Sequence, residues 1–325
     1  MAKTKVKSDT GPGLFDGKQQ KKLYLLDGMA LIYRAHFALI RSPRFTSGGK
    51  CTSAVFGMTN TILDLIKKQK PTHLAIAFDT SDPTHRHIEY PEYKAQRDAL
   101  PEDIAEQIPL VDRLMQAMKI TTIRCPGFEA DDIIGTLAKQ AADAEFEEVV
   151  MVTPDKDFHQ LVTDKIQVYK PGRQGSQFEI LGIPEVLEKW QVERVDQVID
   201  ILGLMGDSSD NVPGVPGIGP KTAQKLIAQF DSVEGLLESV DQLKGKQKEK
   251  VTDNADMARL SKRLVTIMTD VEHGFSFDDF LYDGYDEEAF KELMAELEFD
   301  TLGKRLFWQI VFIGTNAGEG HSRET

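Results

Sequence analysis

Leu23-Tyr24-Leu25-Leu26-Asp27-Gly28 is a short apolar run that stops on a carboxylate and a glycine. Four apolar residues in a row are too few for a helix and suit a strand buried on both faces. The same signature returns at Leu74-Ala75-Ile76-Ala77-Phe78-Asp79 and at Val149-Val150-Met151-Val152-Thr153-Pro154-Asp155-Lys156-Asp157. A β-branched run at 120–124 leads into Gly127-Phe128-Glu129-Ala130-Asp131-Asp132, where acids open a helix at its electropositive end. Helical patterns fill the gaps at 29–39 and 52–67. After Pro101, Ile104, Ile108, Val111, Leu114 and Met118 recur at the spacing of one core-facing helix. Shorter runs at 166–169 and 178–181 read as strands near a sheet edge, and 184–190 starts a helical region. Alternating strands and helices predict an α/β fold with a central, mostly parallel sheet flanked by helices. Ligands of such sheets lie at the carboxyl ends of the strands, where these acids fall.

The chain has 325 residues, 41% apolar and 28% charged, which is the composition of an ordinary globular protein. Its two cysteines, Cys51 and Cys125, provide no disulfide or metal framework, and its seven histidines show no zinc-ligand spacing. A reducing cytoplasm is expected, with no membrane partner, since neither a signal peptide nor a spanning apolar run appears. Residues 1–20 read as a flexible basic tail. The net charge of −13 argues against nucleic acid as a partner, since phosphates need cations, although local basic patches can coexist with a cluster of metal-binding acids.

Acids delivered by four strand–loop junctions repel one another at neutral pH unless cations join them. Hard divalent ions with oxygen ligands fit, Mg²⁺ best. A further acidic element, Gly206-Asp207-Ser208-Ser209-Asp210-Asn211-Val212-Pro213-Gly214, places two aspartates on one side of a helical turn. Gly217-Ile218-Gly219-Pro220-Lys221-Thr222-Ala223 then reads as a tight hairpin opening a helix. Its free N–H groups, with Lys221 and Lys225, can hold a phosphate without reading bases. The segment 81–101 alternates cations with aromatics, including Arg86, Tyr93, Lys94 and Arg97. That suits a nucleic-acid backbone and its bases, and equally a solvated loop.

Taken in order, Leu26-Asp27-Gly28, Phe78-Asp79, Phe128-Glu129-Ala130-Asp131-Asp132, Asp155-Lys156-Asp157, Gly206-Asp207-Ser208-Ser209-Asp210 and Gly217-Ile218-Gly219-Pro220-Lys221 resemble the motifs of the 5′→3′ exonuclease and flap endonuclease family. The likeness runs from about residue 23 to 300 and is closest to the N-terminal nuclease domains of bacterial DNA polymerase I. It implies a PIN-like, resolvase-like core at 21–185 with a clamp or arch at 81–101. A helical duplex-binding subdomain with a helix–three-turn–helix element would occupy 186–305, and 306–325 would be a tail. It implies metal ligation by Asp27, Asp79, Glu129, Asp131, Asp132, Asp155, Asp157, Asp207 and Asp210. Arg86, Lys94 and Arg97 would serve catalysis, and Tyr93, Gly217, Ile218, Gly219, Lys221, Thr222 and Lys225 would bind DNA. The implied cofactors are two Mg²⁺ ions, with Mn²⁺ as a substitute, and K⁺ at the 212–219 hairpin. The implied substrates are DNA with 5′ flaps, nicks or free 5′ ends, RNA-primed ends included, acted on by a monomer in replication and repair. His36 and His87 are expected to be packing or rim residues.

Three alternatives separate on sequence features. A PIN-type single-strand ribonuclease shares the acidic sheet but normally lacks the Gly217–Gly219 hairpin. A catalytically silent DNA-binding module would have lost site acids, and none is missing. A phosphatase using Asp-x-Asp would place that motif near an early strand, whereas Asp155 and Asp157 come late. With no room for proofreading or polymerase domains in these 325 residues, the chain is expected to be a free-standing nuclease, a fragment or a truncated reading frame. The apolar run at 307–313 is expected to pack on the nuclease or to drive self-association.

Overall fold

The computed structural model describes residues 20–172, 178–300 and 302. The apolar run at 307–313 and both tails lie outside the described residues.

Six strands form one sheet: β1 (Lys22–Asp27), β2 (His73–Phe78), β3 (Thr121–Arg124), β4 (Glu148–Val152), β5 (Ile166–Lys170) and β6 (Glu179–Leu181). Their order is β3-β2-β1-β4-β5-β6, and all neighbours are parallel except β5 and β6. The order reverses between β1 and β4, which makes their carboxyl ends the crevice of the sheet. Alternate residues of each strand feed opposite cores. Leu23, Leu25, Ala75, Ala77, Val149 and Met151 face helix Ala130–Asp143 and the helices beyond residue 196. Tyr24, Leu26, Leu74, Ile76, Val150 and Val152 face helices Gly28–Leu39, Ser53–Gln69 and Ile108–Ala117. With both faces covered, the strands read as unbroken apolar runs.

The expected helix after Pro101 is two pieces, Glu102–Ala105 and Ile108–Ala117, because Pro109 enters at the second piece's first turn and supplies no N–H. The break turns Gln107 inward, where its Oε1 accepts the N–H groups of Ala54 and Val55 at 2.9 and 3.3 Å. It therefore caps helix Ser53–Gln69, whose own preceding residue Thr52 makes no side-chain cap. Beyond residue 190, helix Gln197–Met205 crosses helix Ala255–Val265 so closely that a Cβ on Gly203 would lie 2.8 Å from Lys262 Cα. Helix Glu287–Glu296 returns to the opposite face of the sheet, where Phe290, Leu293 and Met294 join the second core. None of the described helices is long and apolar enough to cross a membrane.

Candidate active site

Asp27, Asp79 and Asp155 leave the ends of β1, β2 and β4, the three central strands. Asp27 is 6% exposed and caps helix Gly28–Leu39, its Oδ1 accepting Ala30 N–H at 3.0 Å. Its Oδ2 accepts the Thr153 hydroxyl at 2.9 Å, a bond that spans the β1–β4 crevice. Glycine follows Asp27 because the Phe78 ring would meet a Cβ there at 2.3 Å. Asp79 Oδ1 accepts Ala130 N–H at 2.8 Å, tying β2 to the start of helix Ala130–Asp143. Asp155 Oδ1 accepts Asp157 N–H at 3.0 Å.

The structure sorts the sequence-predicted acids by what neutralises them. Glu129 meets Lys94 Nζ at 2.5 Å, Tyr93 Oη at 3.0 Å and Arg86 at 3.2 Å. Asp132 takes a two-pronged contact from Arg86 at 2.7 and 2.8 Å. Asp207 is held by Lys156 and by Ser209, whose N–H lies at 2.7 Å. Asp210 is held by Arg97 and by Tyr93 Oη at 3.1 Å. Asp27, Asp79, Asp131, Asp155 and Asp157 have no cation in contact among the described residues. Asp131 accepts no hydrogen bond there, and Asp157 Oδ1 is buried without a partner.

Burial, with Asp79 and Asp155 adding repulsion, pushes Asp27 up to about 7 against the bonds from Ala30 and Thr153. Burial, then Asp155, pushes Asp157 up to about 8 although Lys156 opposes. Asp131 is raised well above the carboxylate range by burial and by Asp27 and Asp155. Desolvation raises Asp155 as well. Asp207 goes the other way: burial would raise it, but Lys156 and Ser209 together hold it low. Burial would lower Lys94, yet Glu129 and Asp210 keep it above its ordinary value.

A hard divalent cation fits the uncompensated set. The donors are all oxygen, their mutual repulsion is unrelieved, and Asp157 Oδ1 is an orphaned acceptor pointing into it. A polar cavity of about 10 Å³, the room of one water, opens between Glu129, Asp131, Asp157, Asp207 and Asp210. No three His, Cys, Asp or Glu among the described residues stand in a ready ligand cage, so the fit rests on charge and donor chemistry.

Several expected placements are corrected. Arg86 is 2% exposed, and each of its donor nitrogens is committed to Asp132, Glu129 or the carbonyls of Leu264 and Thr266, at 2.7–3.2 Å. It is a buried cross-link between the site acids and the helical part. Asp132 is wholly buried, and Arg86 occupies both its oxygens. Tyr93 is 3% exposed, with its hydroxyl on Glu129 and Asp210. The segment 81–101 carries one short helix, His85–Glu89, and turns. It is stitched to the Asp207 loop by Lys94 N–H to Asp210 O, Gln96 to Ser208 O and Asn211 to Glu92 O, so it is no free-standing arch. Asp207 and Asp210 sit on a loop closed by an Asp207–Val212 bridge, not on a helical turn.

Sequence reasoning did not single out Lys156, Thr153 or Ser209, which hold Asp207 and Asp27. The signal for Lys156 was its position between two aspartates. His36 is buried, and His87 bonds its neighbour Thr84, as packing residues do.

The hairpin hangs from the same loop. Gly206 and Gly214 cross so closely that a Cβ on Gly214 would lie 2.5 Å from Gly206 N. Gly217 has φ +79°, Ile218 is buried as an anchor, and Gly219 precedes helix Pro220–Phe230. Lys221 and Lys225 are exposed on that helix, and Thr222 is half-buried.

Comparison with known proteins agrees with this arrangement. The family described as 5′-3′ exonuclease, N-terminal resolvase-like domain, matches residues 22–191, and its C-terminal SAM fold matches 193–288. DNA polymerase I of Bacillus subtilis is 44% identical over 292 residues, 89% of this chain and 32% of that protein. The chain thus spans about a third of the length of the curated relatives it matches. Among solved structures, T5 5′-exonuclease with bound zinc has a TM-score of 0.64 at 24% identity, covering 85% of this chain and 99% of the other. A T5 flap endonuclease variant in a pseudo-enzyme-product complex with DNA and metal ions scores 0.61 at 21% identity, covering 88% and 98%. These two likenesses establish the fold.

Proposed function

Since the chain belongs to the 5′-3′ exonuclease family, we propose that it is a structure-specific 5′→3′ exonuclease and 5′-flap endonuclease. It would hydrolyse DNA phosphodiester bonds in primer and flap removal and leave 5′-phosphate ends. The observation that carries this reading is the set of uncompensated carboxylates at the ends of β1, β2 and β4, bordered by Lys94, Arg97 and Lys156. Asp27, Asp79, Asp131, Asp155 and Asp157 would hold divalent ions, Mg²⁺ or Mn²⁺. Glu129, Asp207 and Asp210 would join them as their side-chain cations turn to the substrate phosphate. Two bound ions would supply an activated water and charge stabilisation for an in-line displacement.

The chain's own groups do the rest. Lys94 and Arg97 sit on Glu129 and Asp210 at the cleft mouth, and each exchanges a carboxylate for the scissile phosphate, which it orients. Tyr93 holds Glu129 and Asp210 in place through its hydroxyl. Thr153 fixes Asp27. The core at 21–185 and the helical part at 186–305 work as one unit, because Arg86 and the loop after Gly206 join them. Gly217 to Lys225 grip duplex backbone, with K⁺ at 212–219, so selection rests on DNA structure and not on base identity. A monomer suffices, because every proposed group is in one chain.

The test is a 5′-flap duplex labelled at its flap end, incubated with Mg²⁺ or EDTA. Release of a short labelled fragment by wild type with Mg²⁺ is expected, with none in EDTA or from Asp155→Ala. Cleavage of single-stranded RNA with the flap left intact would replace this reading by the PIN-type ribonuclease.

A further inference from the structure

Lys246 and Lys250 lie one turn apart on helix Gly245–Asp253, as Lys221 and Lys225 do on helix Pro220–Phe230. Like charges at that spacing repel along a helix, so neither pair is placed there for helix stability. All four side chains are exposed, and none makes an ion pair among the described residues. What sets these four apart is their clustering on two helices beside the hairpin, in a chain that carries 52 acids against 39 lysines and arginines. Two nearby lysines are paired: Lys248 meets Asp241 at 2.6 Å, and Lys262 meets Asp200 and Glu234 at 2.6 Å.

Helix Gly245–Asp253 reaches the hairpin through Lys250. Lys250 Nζ stands over Gly217, 2.2 Å from where a Cβ would be. Gly217 is thus bare on the side that the lysine crosses, and its φ of +79° keeps it glycine. Val251, wholly buried, anchors helix Gly245–Asp253 in the core, with Lys250 reaching the hairpin at Gly217.

We infer that helix Gly245–Asp253 is a second phosphate-binding wall, with Lys246 and Lys250 contacting duplex DNA backbone across from Lys221 and Lys225. The inference rests on the DNA reading above and extends the duplex site from one helix to two. Point-charge ammonium groups at exposed positions suit phosphates and carry no base preference.

The experiment reads binding apart from cleavage. Fluorescence anisotropy of a labelled 5′-flap duplex and of a single strand is followed in EDTA across a salt series. Lys246→Ala/Lys250→Ala should weaken flap-duplex binding roughly tenfold or more near 0.1 M salt. The slope of log K against log salt should fall by about 2, one unit for each lost phosphate contact. Single-strand binding should be unchanged. A control, Lys139→Ala/Lys165→Ala, removes the same charge elsewhere and should leave both affinities in place. Unchanged duplex affinity and slope in the Lys246/Lys250 variant overturns the inference. So does an equal loss on single strand and duplex, or an equal loss in the control. A wild-type chain that binds neither DNA overturns the nuclease reading itself, which is seen before any variant is made.

Discussion

Asp157→Asn should make the metal-free protein more stable while removing its Mg²⁺-dependent cleavage. The two effects share one cause. Asp157 is pushed up to about 8 by burial and by Asp155, and its Oδ1 has no partner. In the unfolded chain it titrates near 4. The folded state therefore binds the proton more tightly, and its contribution is fully present below about pH 4 and lost as pH rises to about 8. Asp27, raised to about 7, adds the same trend over a slightly narrower window. In EDTA, wild-type Tm should fall as pH rises from about 4 to 8, and saturating Mg²⁺ should flatten the curve. The asparagine variant should show a shallower fall and a Tm at pH 8 that is higher by roughly 2–4 °C, about 1 kcal/mol. Cleavage at fixed Mg²⁺ should drop on the order of 100-fold or more, since even outer-shell losses at metal sites reach that range. Calorimetric scans with and without EDTA, beside a flap-cleavage assay, check both halves. A variant that stays active, or a wild-type Tm that rises with pH in EDTA, would show that the carboxylate cluster is not poised for a cation.

The sheet was legible because each central strand is a continuous apolar run ending in an acid, a pattern that only a doubly covered parallel strand needs. The acids were legible for the same reason: strand ends are fixed by the sheet, so their side chains must converge. What was not legible is which acids are already neutralised. Arg86 and Asp132 are 46 residues apart, and no local pattern says that one saturates the other. That Arg86 is buried while Arg97 is exposed was not legible in 81–101, because composition reports charge and says nothing of burial. The burial of Tyr93 was hidden in the same way. The break at Pro109 was readable in principle, since proline disfavours helix at the preceding residue, but the apolar spacing from Ile104 to Met118 outweighed it. Lys156 was hidden because its partner Asp207 comes from a loop 51 residues on. Contacts of that length are set by tertiary packing.

Arg86→Ala should destabilise the fold by about 3–5 kcal/mol, the cost of leaving a buried charge without its partner. The guanidinium joins three parts of the chain. It bonds Asp132 and Glu129 at the site, and the carbonyls of Leu264 at 2.8 Å and Thr266 at 2.8 Å in the helical part. Its own segment carries Tyr93 and Lys94. Asp132 also accepts Met268 N–H at 2.9 Å, so it closes the same junction from the other side. Arg86→Lys keeps the charge but loses the fork, and one ammonium cannot serve both Asp132 oxygens and two carbonyls; most of the loss should remain. Arg86→Met combined with Asp132→Leu should recover much of the stability, because the pair is then removed together and no charge is stranded. Urea unfolding of the four proteins measures this directly. Activity separates packing from positioning. If the pair only packs, the double variant regains cleavage with its stability. If Arg86 positions Glu129, the double variant folds, binds flap DNA with wild-type affinity, and still cleaves with a depressed kcat, because nothing holds the Glu129 carboxylate at the angle that Lys94 and the cleft require.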